Sequence, residues 1–307
     1  MSPGDGGMTP IDRVRPFDRA LLGLEPHPDD PNALSFVVVP CLCRVDGRFY
    51  GGAALAAALT ASEAATGREA LWSSTQLVAV ADLGERIRID VEHLAAGRTA
   101  DQVQVRGTIG DRVIFNAVGG AATPTPTGMH GAGQMMPRVP PPEDCDPWGA
   151  SREMVADQAR ELSRPVVGHH LVCEHRDAPL LDPEAQRPGR MTVWTRFTGE
   201  LQAAFPHMTP AGLGFVADLV PLAVSRACGV NGAGTSLDNS LRIGEPVDSE
   251  WVLLDVDAHV AVGGFGHGHV YVWSPDGRML ATGTQSARLF SLEDFMRKQS
   301  AAPPMGA

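Results

Sequence analysis

An internal repeat constrains this chain more than any other feature of its sequence. The segment "RIRIDVEHLAAG" at 86–97 lies over "WVLLDVDAHVAVG" at 251–263, with Asp90 on Asp255 and Glu92 on Asp257. In the same way "GDRVIFNAVGG" lies over "DGRMLATGTQS", with Arg112 on Arg278. Both copies sit in the same order of elements. In the first half "ALSFVVVP" reads as a strand and "GGAALAAALTASEAATG" as an alanine-rich helix, followed by strand-like runs at 71–81, 86–95, 99–108 and 112–121. In the second half "MTVWTRFTG" reads as a strand and "TPAGLGFVADLVPLAVSRACG" as one long helix with Thr209 as N-cap and Pro210 at its first position. Strand-like runs follow at about 235–243, 250–260, 264–273 and 278–289. Strand, helix, four strands, twice over, is the signature of a duplicated unit.

Each helix is apolar almost all round, so each must be enclosed by the sheet built from its own half. The expected fold is α+β: a double hotdog, two tandem hotdog repeats, each a central helix wrapped by a curled antiparallel sheet. The proline- and glycine-rich run at 123–147 has no periodicity and divides the two. This gives an N-terminal repeat at 30–122, a linker and cover segment at 123–189, and a C-terminal repeat at 190–292.

Composition excludes several functions. With 43% apolar and 20% charged residues the chain reads as a soluble globular protein. It has no run of eighteen apolar residues, so no membrane insertion is expected. The N-terminus carries acids and prolines where a signal peptide needs an apolar stretch, which points to the cytoplasm. The five cysteines are spaced like neither a zinc module nor a secreted disulfide framework. The net charge is −11 and Lys298 is the only lysine, which speaks against nucleic acid as a partner. A neutral or apolar ligand fits this field, and a polyanionic one needs a local arginine cluster to offset it. Sheets of this kind pair through exposed edges and faces, so a homo-oligomer is expected.

Several segments compete as sites. The run "GGFGHG" at 263–268 is followed by a strand, whereas a phosphate cradle needs a helix there, so its glycines are read as letting the strand pass close to the central helix. His267 and His269 share a strand face with Tyr271 and Trp273, and "GHHLVCEH" adds His169, His170, Cys173 and His175, yet no zinc spacing results. No metal is therefore expected. Gln285 stands where the first half has Gly119, and Gly283 and Ala287 on its own face are small. Such an amide either reaches into a cavity or is an ordinary glutamine near a strand end. Asp238 and Ser240 alternate with Leu237, Asn239 and Leu241, so Asp238 is either a surface carboxylate or a polar group with no counterpart in the first half.

The words "FYGGAALAAAL", "GLGFVADLVPLAV", "SLDNSL" and "SPDGRMLATGTQS", in this order, resemble the double hotdog acyl-CoA thioesterases of the acyl-CoA thioesterase II type over roughly 30–122 and 190–290. That resemblance implies hydrolysis of a fatty or related acyl-CoA to free acid and CoA, with no cofactor. It further implies that an Asp, a hydroxyl and a Gln of the second repeat activate water. On this pattern Asp238 takes the Asp position and Gln285 the Gln, while an ungapped match from Trp251 places His259 where the family has Thr. His259 then either joins the water or is simply solvated beside Asp255 and Asp257. Backbone N–H groups near Gly51 and Gly52 would hold the oxyanion, and Ser240 would line the substrate. Two other readings stand beside this one: a non-catalytic acyl-CoA or acyl-carrier binding protein, and a double hotdog hydratase, whose Asp, Pro and His run "LDNSLRIG" does not reproduce.

Overall fold

The computed structural model describes residues 8–293 apart from 126, 132, 149–165, 231, 246–248 and 292. Its strands are β1 (Glu25–His27), β2 (Asp30–Val37), β3 (Glu69–Leu77), β4 (Arg86–Ala96), β5 (Ala100–Ile109) and β6 (Arg112–Ala122) in the first half. The second half supplies β7 (Cys173–Asp177), β8 (Arg190–Phe197), β9 (Gly232–Ile243), β10 (Val252–Val262), β11 (Phe265–Trp273) and β12 (Met279–Ser291). They form one continuous antiparallel sheet in the order β1-β2-β4-β5-β6-β3-β9-β12-β11-β10-β8-β7. The order on one side of the β3–β9 seam is repeated on the other, so the duplication is visible as a double hotdog fold. The strand β7 lies inside the stretch expected as linker.

In the first half the central helix is α2 (Gly51–Thr66), preceded by a short α1 (Pro16–Leu22). Every residue of α2 from Gly51 to Ala64 is buried. Its alanines let neighbours come close, because Gly214 packs where a Cβ would lie 3.2 Å from Leu55 Cγ and 3.5 Å from the Ala56 nitrogen. Gly67 ends the helix with φ +66°, its N–H donating to Glu63 O at 2.8 Å.

In the second half, after α3 (Gly199–Ala204), the expected single helix is two: α4 (Pro210–Val216) and α5 (Val220–Ala227). Thr209 caps α4 as expected, accepting from Gly212 N at 3.1 Å. The break at Ala217–Leu219 follows from Pro221, which has no N–H to give the carbonyl of residue 217 and whose ring crowds it. A carboxylate, Asp218, stands in that break.

Two bulges complete the frame. Between Ala70 and Trp72 the register of β3 against β6 shifts, leaving Leu71 unpaired. On β9, Asp238 pairs with Ser286 and Ser236 with Ala287, leaving Leu237 unpaired. The two leucines are 40% and 42% exposed, occupying equivalent places in the two halves. Each bulge turns the preceding residue to the opposite face from the one strict alternation gives.

On the second half, residues of the 123–147 stretch pack against the sheet. Trp194, Leu253 and Trp273 form a small cluster with Cys145, and Trp194 Nε1 donates to Pro140 O at 2.8 Å. No helix among the described residues is long and apolar enough to cross a membrane.

Candidate active site

The buried acid beside Gln285 is Asp218. Gln285 lies on the inner face of β12, opposite Asn239 of β9 and Gly268 of β11. Its amide Nε2 donates to Asp218 Oδ1 and, at 2.8 Å, to Ser236 Oγ. The Ser236 hydroxyl donates to the same carboxylate oxygen at 3.2 Å. The other oxygen, Oδ2, accepts from Gly52 N at 2.7 Å. These groups arrive from a helix break, a bulged strand, a neighbouring strand and the first turn of the other half's helix. Without the bulge at Leu237, Ser236 would share the face of Asp238 and point away.

Two close approaches tighten the cluster. A Cβ on Gly51 would lie 2.7 Å from Asp218 Oδ2 and 3.1 Å from Ser236 Oγ, so only glycine fits there. Tyr50 is buried against the break, its hydroxyl 3.5 Å from Asp218 O and its ring stacked on His169 at 5.1 Å between centroids.

Burial pushes the Asp218 carboxyl up to about 6, opposed by hydrogen bonds from Gln285, Gly52 and Ser236 and by the charge of Arg44. That value suits a group that must give and take a proton near neutral pH. Gln285 Oε1 is buried and has no hydrogen-bond partner among the described residues, an open acceptor on a side chain whose amide nitrogen holds Asp218 and Ser236. Beside the cluster lies a cavity of about 200 Å³ lined by Gly51, Ser236, Phe49, Val78, Arg44 and Arg48 among others. A larger hollow, about 580 Å³, is lined by Arg13, Arg15, Glu63 and Arg68. It lies at the far end of α2, roughly 24 Å along the helix from Gly51, and does not reach the carboxylate.

The other residues singled out in the sequence fall elsewhere. Asp238 shares the outer face with Ser286, whose N–H donates to Asp238 Oδ1 at 2.8 Å. Ser240 faces the same way, its hydroxyl paired with Thr284 Oγ1 at 2.8 Å. His259 is exposed on β10, its Nε2 2.5 Å from His269 Nδ1 and its ring 5.5 Å from that of His267. It is the unpaired residue of a third bulge, between Ala258 and Val260. Asp255 and Asp257 on that face pair with Arg190 and Arg187. The alternation of "TSLDNSL" holds from Asp238 onward and leaves Asp238 as the partly exposed strand carboxylate that is one of its two readings, while the ungapped match across β10 runs over the bulge at His259. Gly52 does enter the site, but its N–H goes to the carboxylate, and the Gly51 N–H lies beside it at the positive end of α2. Asp218 had two signals in the sequence: a lone carboxylate in an apolar helix, and a proline three residues on.

The glycines of 263–268 behave as expected. Gly263 and Gly264 form the β10–β11 turn at φ +60° and +82°, while Gly266 and Gly268 meet Val224 and Val220 of α5. Among the described residues no three His, Cys, Asp or Glu are arranged to hold a metal ion. His169 and His175 instead form part of a buried aromatic wall with Tyr50 and Trp148, and burial pushes His169 down to about 4.

A family model for the acyl-CoA thioesterase C-terminal domain matches residues 142–289. A solved structure from Novosphingobium aromaticivorans, provisionally assigned as a thioesterase, is 30% identical, with 83% of this chain and 94% of that one covered at a TM-score of 0.70. The chain belongs to the double hotdog acyl-CoA thioesterase family. Other members of this fold include the TesB protein of Mycobacterium avium subspecies paratuberculosis, 20% identical over 89% of this chain and 98% of that one, TM-score 0.65. The acyl-CoA thioesterase II TesB2 of Mycobacterium marinum is 19% identical over 90% and 99%, TM-score 0.64. No curated protein sequence matches. In this member of the family the candidate site lies where the two hotdogs meet, with the acid supplied by one and the helix start by the other.

Proposed function

We propose that this chain hydrolyses an acyl-CoA thioester to free acid and CoA, with Asp218 as the general base. The observation that carries this reading is the buried set Asp218, Ser236 and Gln285 around the start of α2, opening on a cavity.

The thioester carbonyl oxygen lies at the Gly51 N–H, where the helix dipole favours developing negative charge. A water donates one O–H to Gln285 Oε1, which holds it toward the carbonyl carbon, and turns its other O–H to the Asp218 carboxylate. As its oxygen bonds to that carbon, its proton passes to the Asp218 carboxylate. The tetrahedral intermediate collapses, the carbon–sulfur bond breaks, and Asp218 returns the proton to the departing thiolate. The products are the carboxylic acid and CoA thiol. Gly52 keeps the base oriented by donating to the oxygen that does not face Gln285.

Purified full-length protein incubated with acyl-CoAs of graded chain length tests this, with free thiol as the readout. Release that disappears in Asp218→Asn is the expected result. Binding of acyl-CoA with no release at any chain length would replace hydrolysis by the acyl-CoA binding reading.

A further inference from the structure

The cavity beside Asp218 has a cationic mouth and an apolar wall. Its lining includes Arg44 and Arg48 together with Phe49, Val78 and Val80. The two arginines differ. Arg44 is held by the Asp46 carboxylate and donates to Thr235 Oγ1 at 3.0 Å and Gly234 O at 3.3 Å, so its charge is largely committed. Arg48 is exposed, and among the described residues its guanidinium has no hydrogen-bond or ion-pair partner. In a chain of net charge −11, an unneutralised guanidinium at the lip of the cavity that contains Ser236 and Gly51 concentrates anions at that one place.

We infer that Arg48 binds a phosphate of the thiol carrier, so that the cavity receives the pantetheine arm and Arg48 fixes its phosphorylated end. This rests on the hydrolase reading above for the position of the thioester. The arm has the right character for the cavity: methylene runs and a gem-dimethyl carbon suit its apolar residues, two amides and a hydroxyl suit its polar ones, and the chain has a thioester at one end and a phosphate at the other. The reach is also consistent. Residues 48–50 run extended into Gly51, and three residues span at most about 11 Å, to which the arginine side chain adds its own length. A planar guanidinium with a free fork of N–H donors recognises phosphate in a way that a lysine does not.

Calorimetric titration of Arg48→Gln and wild type with CoA, 4′-phosphopantetheine and pantetheine tests the assignment without turnover. We expect Arg48→Gln to bind CoA about tenfold more weakly and to bind unphosphorylated pantetheine as wild type does. Equal losses for CoA and 4′-phosphopantetheine place the contact on the arm's own phosphate, which a carrier protein also bears. A loss for CoA alone places it on the nucleotide phosphates. CoA affinity unchanged in Arg48→Gln, or a loss shared equally by pantetheine, overturns the proposal. Since Arg48 is exposed, the variant should melt as wild type does. A protein that binds CoA through Arg48 yet releases no thiol would end the hydrolase reading and leave this one standing, and the converse result separates them the other way.

Discussion

Gly52 and Asp218 are 166 positions apart in sequence and joined by a hydrogen bond of 2.7 Å. One belongs to the first turn of the first repeat's helix, the other to the break in the second repeat's helix. The bond therefore ties the two hotdogs together at the site itself, and neither half alone holds a complete set of groups.

Exchange of Asp218 for asparagine removes the proton acceptor while nearly preserving shape. Turnover should fall about a hundredfold or more, the usual scale for loss of a general base. Asp238→Asn serves as the matched control, because its carboxylate faces outward and, among the described residues, accepts from Ser286 N. It should keep its rate to within a few-fold. Steady-state thiol release from both variants, with circular dichroism to confirm folding, decides between the two acids.

The acidic limb of the rate profile should follow Asp218, with activity lost as pH falls through about 6. Arg44 opposes the upward shift by its charge, so Arg44→Gln should move that limb to higher pH and Arg44→Lys should largely restore it. Stability runs the other way. A carboxyl that titrates higher folded than unfolded binds its proton more tightly in the native state, so its effect is most favourable below about 4 and is lost as pH rises through about 6. The loss is of order 3 kcal/mol at most. Asp218→Asn should flatten that slope, raising the melting temperature relative to wild type at pH 8 but not at pH 4.

Ser236 and Gln285 hold one another as well as the carboxylate. Ser236→Ala and Gln285→Ala should each slow turnover, and the double variant should be scarcely worse than the poorer single one, as for residues that act as a unit. Strict additivity in a double-mutant cycle would separate them.

Much of this architecture can be read from the sequence, and the failures share a cause. The strands are legible because apolar residues alternate and glycines mark the turns at 263–264, and Thr209–Pro210 marks a helix start correctly. Gln285 is legible because its partner in the repeat is Gly119, and the registers agree: Gln285 pairs with Asn239 two residues past one bulge, Gly119 with Ser73 two residues past the other. Asp238 and Ser240 alternate with Asn239 and Leu241 as the sequence suggests; what alternation hides is Ser236, which the unpaired Leu237 turns to the inner face, and His259 is itself the unpaired residue of β10. Asp218 is hidden for a related reason. A periodic apolar run looks like an unbroken helix until Pro221 is given its steric weight, and only the break brings the buried carboxylate onto Gly52, Ser236 and Gln285.

His259 sits outside the cluster in contact with His269. Its replacement by alanine should leave turnover within about twofold of wild type, as for a surface substitution. EDTA should likewise leave the rate unchanged. A large loss in either experiment would move the chemistry to the outer face, where His267 and His269 lie.

The matching bulges at Leu71 and Leu237 frame two sockets, but only one is furnished. Ahead of Leu237 stands Ser236, and ahead of Leu71 stands Ala70; across the sheet, Gln285 in one socket faces Gly119 in the other. A Cβ at Gly119 would press to 2.9 Å on Trp72 O, so the empty socket is too tight to be refilled with a glutamine. The chain is thus a dimer of folds with one furnished socket: two wrapped helices, and a set of Asp218, Ser236 and Gln285 that the first repeat does not reproduce.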